Sequence, residues 1–402
     1  MPRPNKENER PARAPAPANE DRRHQLLGKW KVPEEFTEDS DGGEQGDEHF
    51  LEYDIGPQDR LLQSDSLLSY GRHFGRTIHP FCNLNTLIVQ GQARVNELIL
   101  RGITVEELSL REQREHKIFR QLINLVPNLE ARLWDEGCTA EERKYIAATI
   151  TKGVRTGRSD DVKGVKSAIV DWVTPVGGIL VPTLGRNQKE SRGFRHDATG
   201  KYLCPTDYDW NNENDRRRLR SGEITPLPTQ WPIFLFEGLR YNPADPWEGL
   251  LKGRLVVMGF KHIFTSPSSV TGEERATRSG NAAIHGMKRV TTASLAYVAT
   301  IVRQCLSSAA VFRLKDKTMK NEVFYAHLLD FLEDAKETNE VTRLLAWWDE
   351  QIFPEHVSDD TGPGVPKTSA LAGLRERRKK ILAGEVPQQG DPPQGEAPQR
   401  EG

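Results

Sequence analysis

The chain has 402 residues, 36% of them hydrophobic and 28% charged, with a formal net charge of −2. The apolar share is low for a globular protein. The deficit sits at the two ends, which leaves a middle with enough apolar content for a sizeable core. No run approaches the ~18 uninterrupted apolar residues of a membrane-spanning helix, and the widely spaced Cys82, Cys138, Cys204 and Cys305 do not make a disulfide scaffold.

Residues 1–57 read as disordered. A Pro/Ala/Arg/Glu-rich start gives way to an acidic block from Glu34 to Asp54 that contains no Lys or Arg, and such a composition cannot offset the chain entropy of folding. The start also lacks the apolar stretch of a secretory leader, and no Asn-x-Ser/Thr acceptor occurs. Both points predict an intracellular protein, in the nucleus or cytoplasm and not secreted.

A helical domain is expected over 58–355. LNTLIVQGQARVNELIL places Leu84, Leu87, Ile88, Val95 and Leu98 near a 3.6 period, and HKIFRQLINLV continues the pattern. Pro127 suits the first turn of a restarted helix. Thr139 with Glu142 has the shape of a capping box, and Ser159-Asp160-Asp161 reads as the cap of a further helix ending near Trp172. None of these helices carries an ionisable residue that must be buried. Residues 174–246 break the regime with prolines and aromatics, an irregular insertion expected to wrap over the helices, with short strand pairing around GGILVPTL and WPIFLF. LLKGRLVVMGFKHIF, VTTASLAYVATIVRQCL, NEVFYAHLLDFLED and NEVTRLLAWWDEQIF then read as helices, the last stopped by Pro354. The second of these carries Leu295, Val298, Ile301, Val302, Cys305 and Leu306 on one broad apolar face. Residues 356–402 read as a disordered tail with a basic cluster at 375–380. The fold class is therefore mainly α: a single helical domain with an irregular insertion and disordered termini.

The most distinctive segment is Lys261 to Met287, KHIFTSPSSVTGEERATRSGNAAIHGM, a polar stretch between apolar helices. A long loop inside a compact domain usually has a binding or structural duty. Ser268, Ser269, Arg275, Arg278, Lys288 and Arg289, flanked by His262 and His285, offer hydroxyls and guanidinium groups suited to phosphate or carboxylate. The alternative is a structural connection whose hydroxyls cap helices. Cations dominate from Leu251 to Lys320, opposed only by Glu273, Glu274 and Asp316, while acids dominate the next forty residues. That asymmetry makes either a basic face or two neighbouring segments that neutralise each other.

No G-x-x-x-x-G-K-S/T or G-x-G-x-x-G pattern supports a nucleotide site. Asp207 to Glu213 opens like a calcium loop but has Asn212 where Gly is needed and Arg218 where a bidentate Glu is needed, so Asx turns ahead of a short helix explain it better. The histidines show no metal-ligand spacing, and no metal or cofactor is expected. Cys305 reads as core. In the tail, Arg375, Arg377, Arg378, Lys379 and Lys380 form a candidate nuclear-import signal or nucleic-acid contact.

The segments HIFTSPSS, RSGNAAIHGM and LAWWDEQIFP, in that order, resemble the C-terminal core of an uncharacterised protein family, a domain of unknown function abundant in basidiomycete (mushroom-forming) fungi. The resemblance covers Trp231 to Pro354 closely and the helices from Leu61 more loosely. It implies a fungal origin and supplies no catalytic residue. The sequence thus favours a non-enzymatic binding protein that holds an anionic partner, nucleic acid or an acidic or phosphorylated protein, through residues 261–289. The alternatives are an enzyme with a site around His262, His285, Arg275 and Arg278, and an interaction scaffold.

Overall fold

The computed structural model describes residues 66–270, 280–309 and 321–359, together with Arg377. The expected disorder of 1–57 and most of the expected tail lie outside the described residues. Among those described the fold is mainly helical and has no strand.

Four helices come first: α1 (Ser66–Thr77), α2 (Leu84–Arg101), α3 (Leu110–Leu125) and α4 (Leu129–Trp134). The starts of α2 and α3 follow ordinary capping chemistry. Asn83 accepts from Thr86 N at 3.1 Å, and Ser109 and Glu112 form a reciprocal capping box. Pro127 lies in the turn before α4 rather than inside it, because Asn128 takes a left-handed conformation (φ 60°) as the N-cap.

The spine is α5 (Ala140–Val173), one continuous helix of 34 residues and so about 51 Å long. The sequence reading divides it at Ser159. The split does not occur, because Asp161 is buried and holds a distant arginine instead of capping a new helix. At its start Thr139 Oγ1 accepts from Glu142 N, but the Glu142 carboxylate turns to Arg132 at 2.7 Å, so only half of the expected capping box forms.

The two halves of α5 serve two cores. Ile146, Ile150 and Val154 pack with Phe74, Leu84, Ile88, Phe119 and Leu122 of α1–α3. Val165, Ile169 and Val173 join a larger cluster built on α8 (Arg254–Phe260), α10 (Thr292–Leu306), α11 (Asn321–Leu332) and α12 (Thr338–Ile352). Between α1 and α5 the backbones touch. A Cβ on Gly71 would sit 2.4 Å from Ile150 O, and one on Gly153 would sit 2.3 Å from Leu68 O. Only glycine permits that approach. At the centre, α10 is buried at every position from Ala293 to Leu306, all round and not on one face alone.

The Pro- and aromatic-rich stretch does pack over this core. Trp231 meets Phe331 edge-on and Trp247 stacks on it, both at 5.0 Å. Lys189 Nζ donates to Gln304 O at 2.7 Å and Arg192 donates to Cys305 O at 2.9 Å, so two buried cations grip the carbonyl end of α10. Two short helices lie here, α6 (Asp197–Leu203) and α7 (Glu213–Ser221). As expected, α7 is opened by an Asx cap: Asn212 Oδ1 accepts from Asn214 N at 2.9 Å.

The strand pairing expected here is absent among the described residues. WPIFLF folds into a 3-10 turn at Ile233–Leu235, and only isolated bridges form, Pro205 with Pro232 and Phe236 with Leu250. In GGILVPTL, Ile179 and Val181 are 80% and 75% exposed, and the prolines on either side lack the N–H that a ladder requires. Pro354 ends α12, as expected, but also opens α13 (Pro354–Asp359), so helix persists beyond residue 355.

Candidate functional site

The two roots of the polar loop are stitched together. After α8 the chain passes into a π-helical turn, Lys261–Thr265, a form of backbone concentrated at functional sites. This replaces the end of the long regular helix read from LLKGRLVVMGFKHIF. Thr265 Oγ1 donates to Lys261 O at 2.7 Å and shares a 2.6 Å contact with Ser269 Oγ. Ser269 Oγ also donates to Ser266 O at 2.6 Å, and Ser266 Oγ meets Ser268 Oγ at 3.0 Å. The hydroxyls of Ser268 and Ser269 are thus engaged within the turn.

The returning limb of the loop docks on the same turn. Asn281 Nδ2 donates to Ile263 O, and a Cβ on Gly280 would sit 2.0 Å from Thr265 O. The short helix α9 (Asn281–Ile284) follows, then His285, Gly286 with φ 64°, and a bond from Met287 N to Ala282 O. A cavity of about 370 Å³ lies at this junction, lined by Thr265, Ser266, Ser269, Ala283, Met287 and Phe353 among others. Lys288 and Arg289 are exposed just beyond it. Val290 N then donates to Asp349 Oδ1 of α12 at 2.7 Å, and Thr291 both caps α10 and donates to Thr77 O of α1 at 3.1 Å.

His262 and His285, read together from sequence, have separate neighbours. His262 stands edge-on to Trp172 at 5.6 Å, with Gly164 of α5 so close that a Cβ there would meet Nε2 at 2.8 Å. His285 stacks on His73 of α1 at 4.3 Å, with Tyr70 tilted against it at 5.8 Å. Burial, followed by the charges of His285 and Arg76, pushes the His73 pKa down to about 3. Burial and then Arg76 lower that of His285 as well. The stacked pair is therefore neutral at pH 7.

Below it lies a buried ionic network that sequence reasoning missed. Arg76 of α1 donates to both oxygens of Asp161 of α5 at 2.8 and 2.7 Å, and Tyr297 of α10 donates to the same carboxylate at 2.6 Å. All three side chains are buried. Burial opposes the Arg76 charge, but the Asp161 carboxylate and its hydrogen bonds outweigh it and hold the guanidinium pKa above its usual value. Burial, then the carboxylate, raises the Tyr297 phenol. This unit fixes α1, α5 and α10 to one another. The only hint in the sequence was GRHFGR, where glycines four apart put arginine and histidine on a close-packed helix.

Several acids of the C-terminal helices have partners away from the loop. Asp330 pairs with Arg114 and Glu333 with Lys117, both on α3, while Glu337 accepts from Trp247 Nε1. Of the cations on the basic stretch, Lys252 lies over Trp347, Arg254 donates to Trp172 O, and Arg303 is buried over Phe324. Asp349 stands near Arg289. Arg275 and Arg278 lie outside the described residues, as do Arg375, Arg378, Lys379 and Lys380; Arg377 is exposed. No group of three or more metal-ligating side chains occurs among the described residues, and no described helix is long and apolar enough to cross a membrane.

No curated protein and no solved structure matches the chain. A family of unknown function, DUF6698, matches residues 152–353, starting inside α5 and well before the Trp231 from which the resemblance is closest. Asp161, His262, His285 and Tyr297 fall within the match, whereas His73 and Arg76, which hold two of them, fall outside it. With the match spanning half of its length, the chain belongs to the DUF6698 family.

Proposed function

We propose that the protein is a non-enzymatic binding protein, intracellular and of basidiomycete origin, that holds a phosphate-bearing partner through residues 261–289. Nucleic acid is the first candidate, and a phosphorylated protein is the second. The observation that carries this reading is the placement of acids and cations around the loop. Asp330, Glu333 and Glu337 are engaged with Arg114, Lys117 and Trp247, while Lys288 is exposed at the root of a loop that carries Arg275 and Arg278; among the acids of these helices, Asp349 stands near Arg289. The stitched roots support it further, because a clamped base presents cations at lower entropic cost than a free tail does.

Fluorescence anisotropy with labelled single-stranded RNA and duplex DNA across a salt series tests the reading. Binding should weaken linearly in log salt, and the double variant Lys288→Glu/Arg289→Glu should reduce the slope by about 2. Failure to bind either polymer at low salt, where phosphate contacts are strongest, excludes nucleic acid. Binding of a phosphopeptide pool but not of its dephosphorylated form would then identify the second class.

A further inference from the structure

Away from the loop, a cleft of about 690 Å³ opens between the turn after α1, the first turns of α2 and one side of α3. That volume lies in the range of small-molecule sites, roughly 300–1,000 Å³. Leu87, Leu110 and Ile118 give it an apolar wall, and Leu110 stands there 84% exposed. Every lining residue precedes residue 152, outside both the polar loop and the family match. The site therefore stands independently of the function proposed above.

The charged residues of the lining are already matched. Glu115 accepts from Arg94 and from Arg111, each at 2.9 Å, and Arg114 pairs with Asp330 at 2.7 Å. His79 is different. Phe81 N donates to its Nδ1 at 3.2 Å, so the ring proton belongs on Nε2, which has no hydrogen-bond partner among the described residues. Burial, followed by the charge of Arg114, pushes the His79 pKa down to about 4, and Tyr325 stands edge-on to the ring at 5.5 Å. The imidazole is thus a neutral donor held in one orientation. Burial likewise pushes the Cys82 thiol up to about 12, so it too is uncharged at pH 7.

We propose that the cleft binds a small neutral molecule, an apolar body that carries a hydrogen-bond acceptor such as a ketone or ester carbonyl. The carbonyl takes the N–H of His79, and the body lies along Leu87, Leu110 and Ile118. A charged ligand would enter a site whose own charges are matched and would lose hydration for no ion pair. A plain hydrocarbon would leave the His79 donor unanswered.

Equilibrium dialysis of the full chain tests this with three probes of similar shape: benzophenone, diphenylmethane, which lacks the acceptor, and 4-benzoylbenzoate, which adds a negative charge. Benzophenone should bind about fivefold tighter than diphenylmethane, the gain from one neutral hydrogen bond, and at least as tightly as 4-benzoylbenzoate. His79→Phe should bring the two neutral probes to within about twofold of each other. Because His79 also holds the turn after α1, Gln90→Trp at the exposed mouth of the cleft serves as the second variant. It should obstruct the cleft and weaken benzophenone about tenfold. Equal affinity for benzophenone and diphenylmethane, tighter binding of 4-benzoylbenzoate, no binding of benzophenone up to its solubility limit, or a Gln90→Trp protein that binds it as before would each overturn the proposal.

Discussion

Removing the Asp161 carboxylate is the sharpest test of what holds α1, α5 and α10 together. In Asp161→Ala, Arg76 loses two hydrogen bonds of 2.8 and 2.7 Å and Tyr297 loses one of 2.6 Å, all in a site where the guanidinium is 4% exposed. Stranding a buried charge in this way costs about 3–5 kcal/mol. We place Asp161→Ala near 4 kcal/mol. Tyr297→Phe removes one bond to a charged acceptor and should cost about 1.5–3 kcal/mol. The double variant Arg76→Met/Asp161→Leu removes both charges and should recover much of the loss, since an apolar replacement for a buried pair is often neutral or better. Urea denaturation of Arg76→Met, Asp161→Leu and the double variant gives the coupling energy, provided m is unchanged. A single-variant cost below about 1 kcal/mol, typical of an exposed pair, would refute the reasoning. So would strict additivity in the double variant.

The neutral histidine stack makes stability depend on pH. The folded pKa of His73, about 3, lies below its ordinary 6.5, so its contribution is full above pH 6.5 and is lost as pH falls. Between pH 8 and pH 5 the loss is about 2 kcal/mol, and denaturation of His73→Phe should show a correspondingly flatter profile. Gly153→Ala should destabilise by about 2 kcal/mol, because a Cβ 2.3 Å from the backbone oxygen of Leu68 puts the overpacking at about 3 kcal/mol, the upper end of its usual range, less the ~1 kcal/mol gained in helix propensity. Gly157→Ala, whose Cβ would sit 3.3 Å from Arg72 atoms, should cost less when measured by the same melt. A fragment of residues 152–353 should fail to unfold cooperatively by circular dichroism, because it leaves Asp161 buried without Arg76.

The elements legible in the sequence were those governed by local chemistry. The run from Leu295 to Leu306 forms a helix because nothing in it opposes one, and Asn212 caps because its short amide reaches the next N–H groups. What escaped was decided by partners far along the chain. Ser159-Asp160-Asp161 carries the composition of a cap, yet Asp161 spends its oxygens on Arg76, 85 positions earlier, and the helix runs on. His285 is one polar residue among many until His73 is seen beneath it. The loop itself was conspicuous as a polar segment, but the Thr265–Ser269 hydroxyl contacts depend on the π turn that precedes them.

Those long-range partners also say why the loop sits where it does. Its return limb is held by His285 on His73, by Thr291 on Thr77 and by Val290 on Asp349, three contacts from two different helices. Two of them reach α1, which lies outside the part of the chain that matches the family. The base of the loop is therefore set jointly by the family region and by the N-terminal helices, with Arg76–Asp161 as the fixed joint between them. A change in that joint should move the loop's base without altering any residue of the loop. It follows that weakened partner binding in Asp161→Asn, with Lys288 and Arg289 intact, would report on position and not on charge. Its salt slope should stay that of the parent protein while the affinity falls.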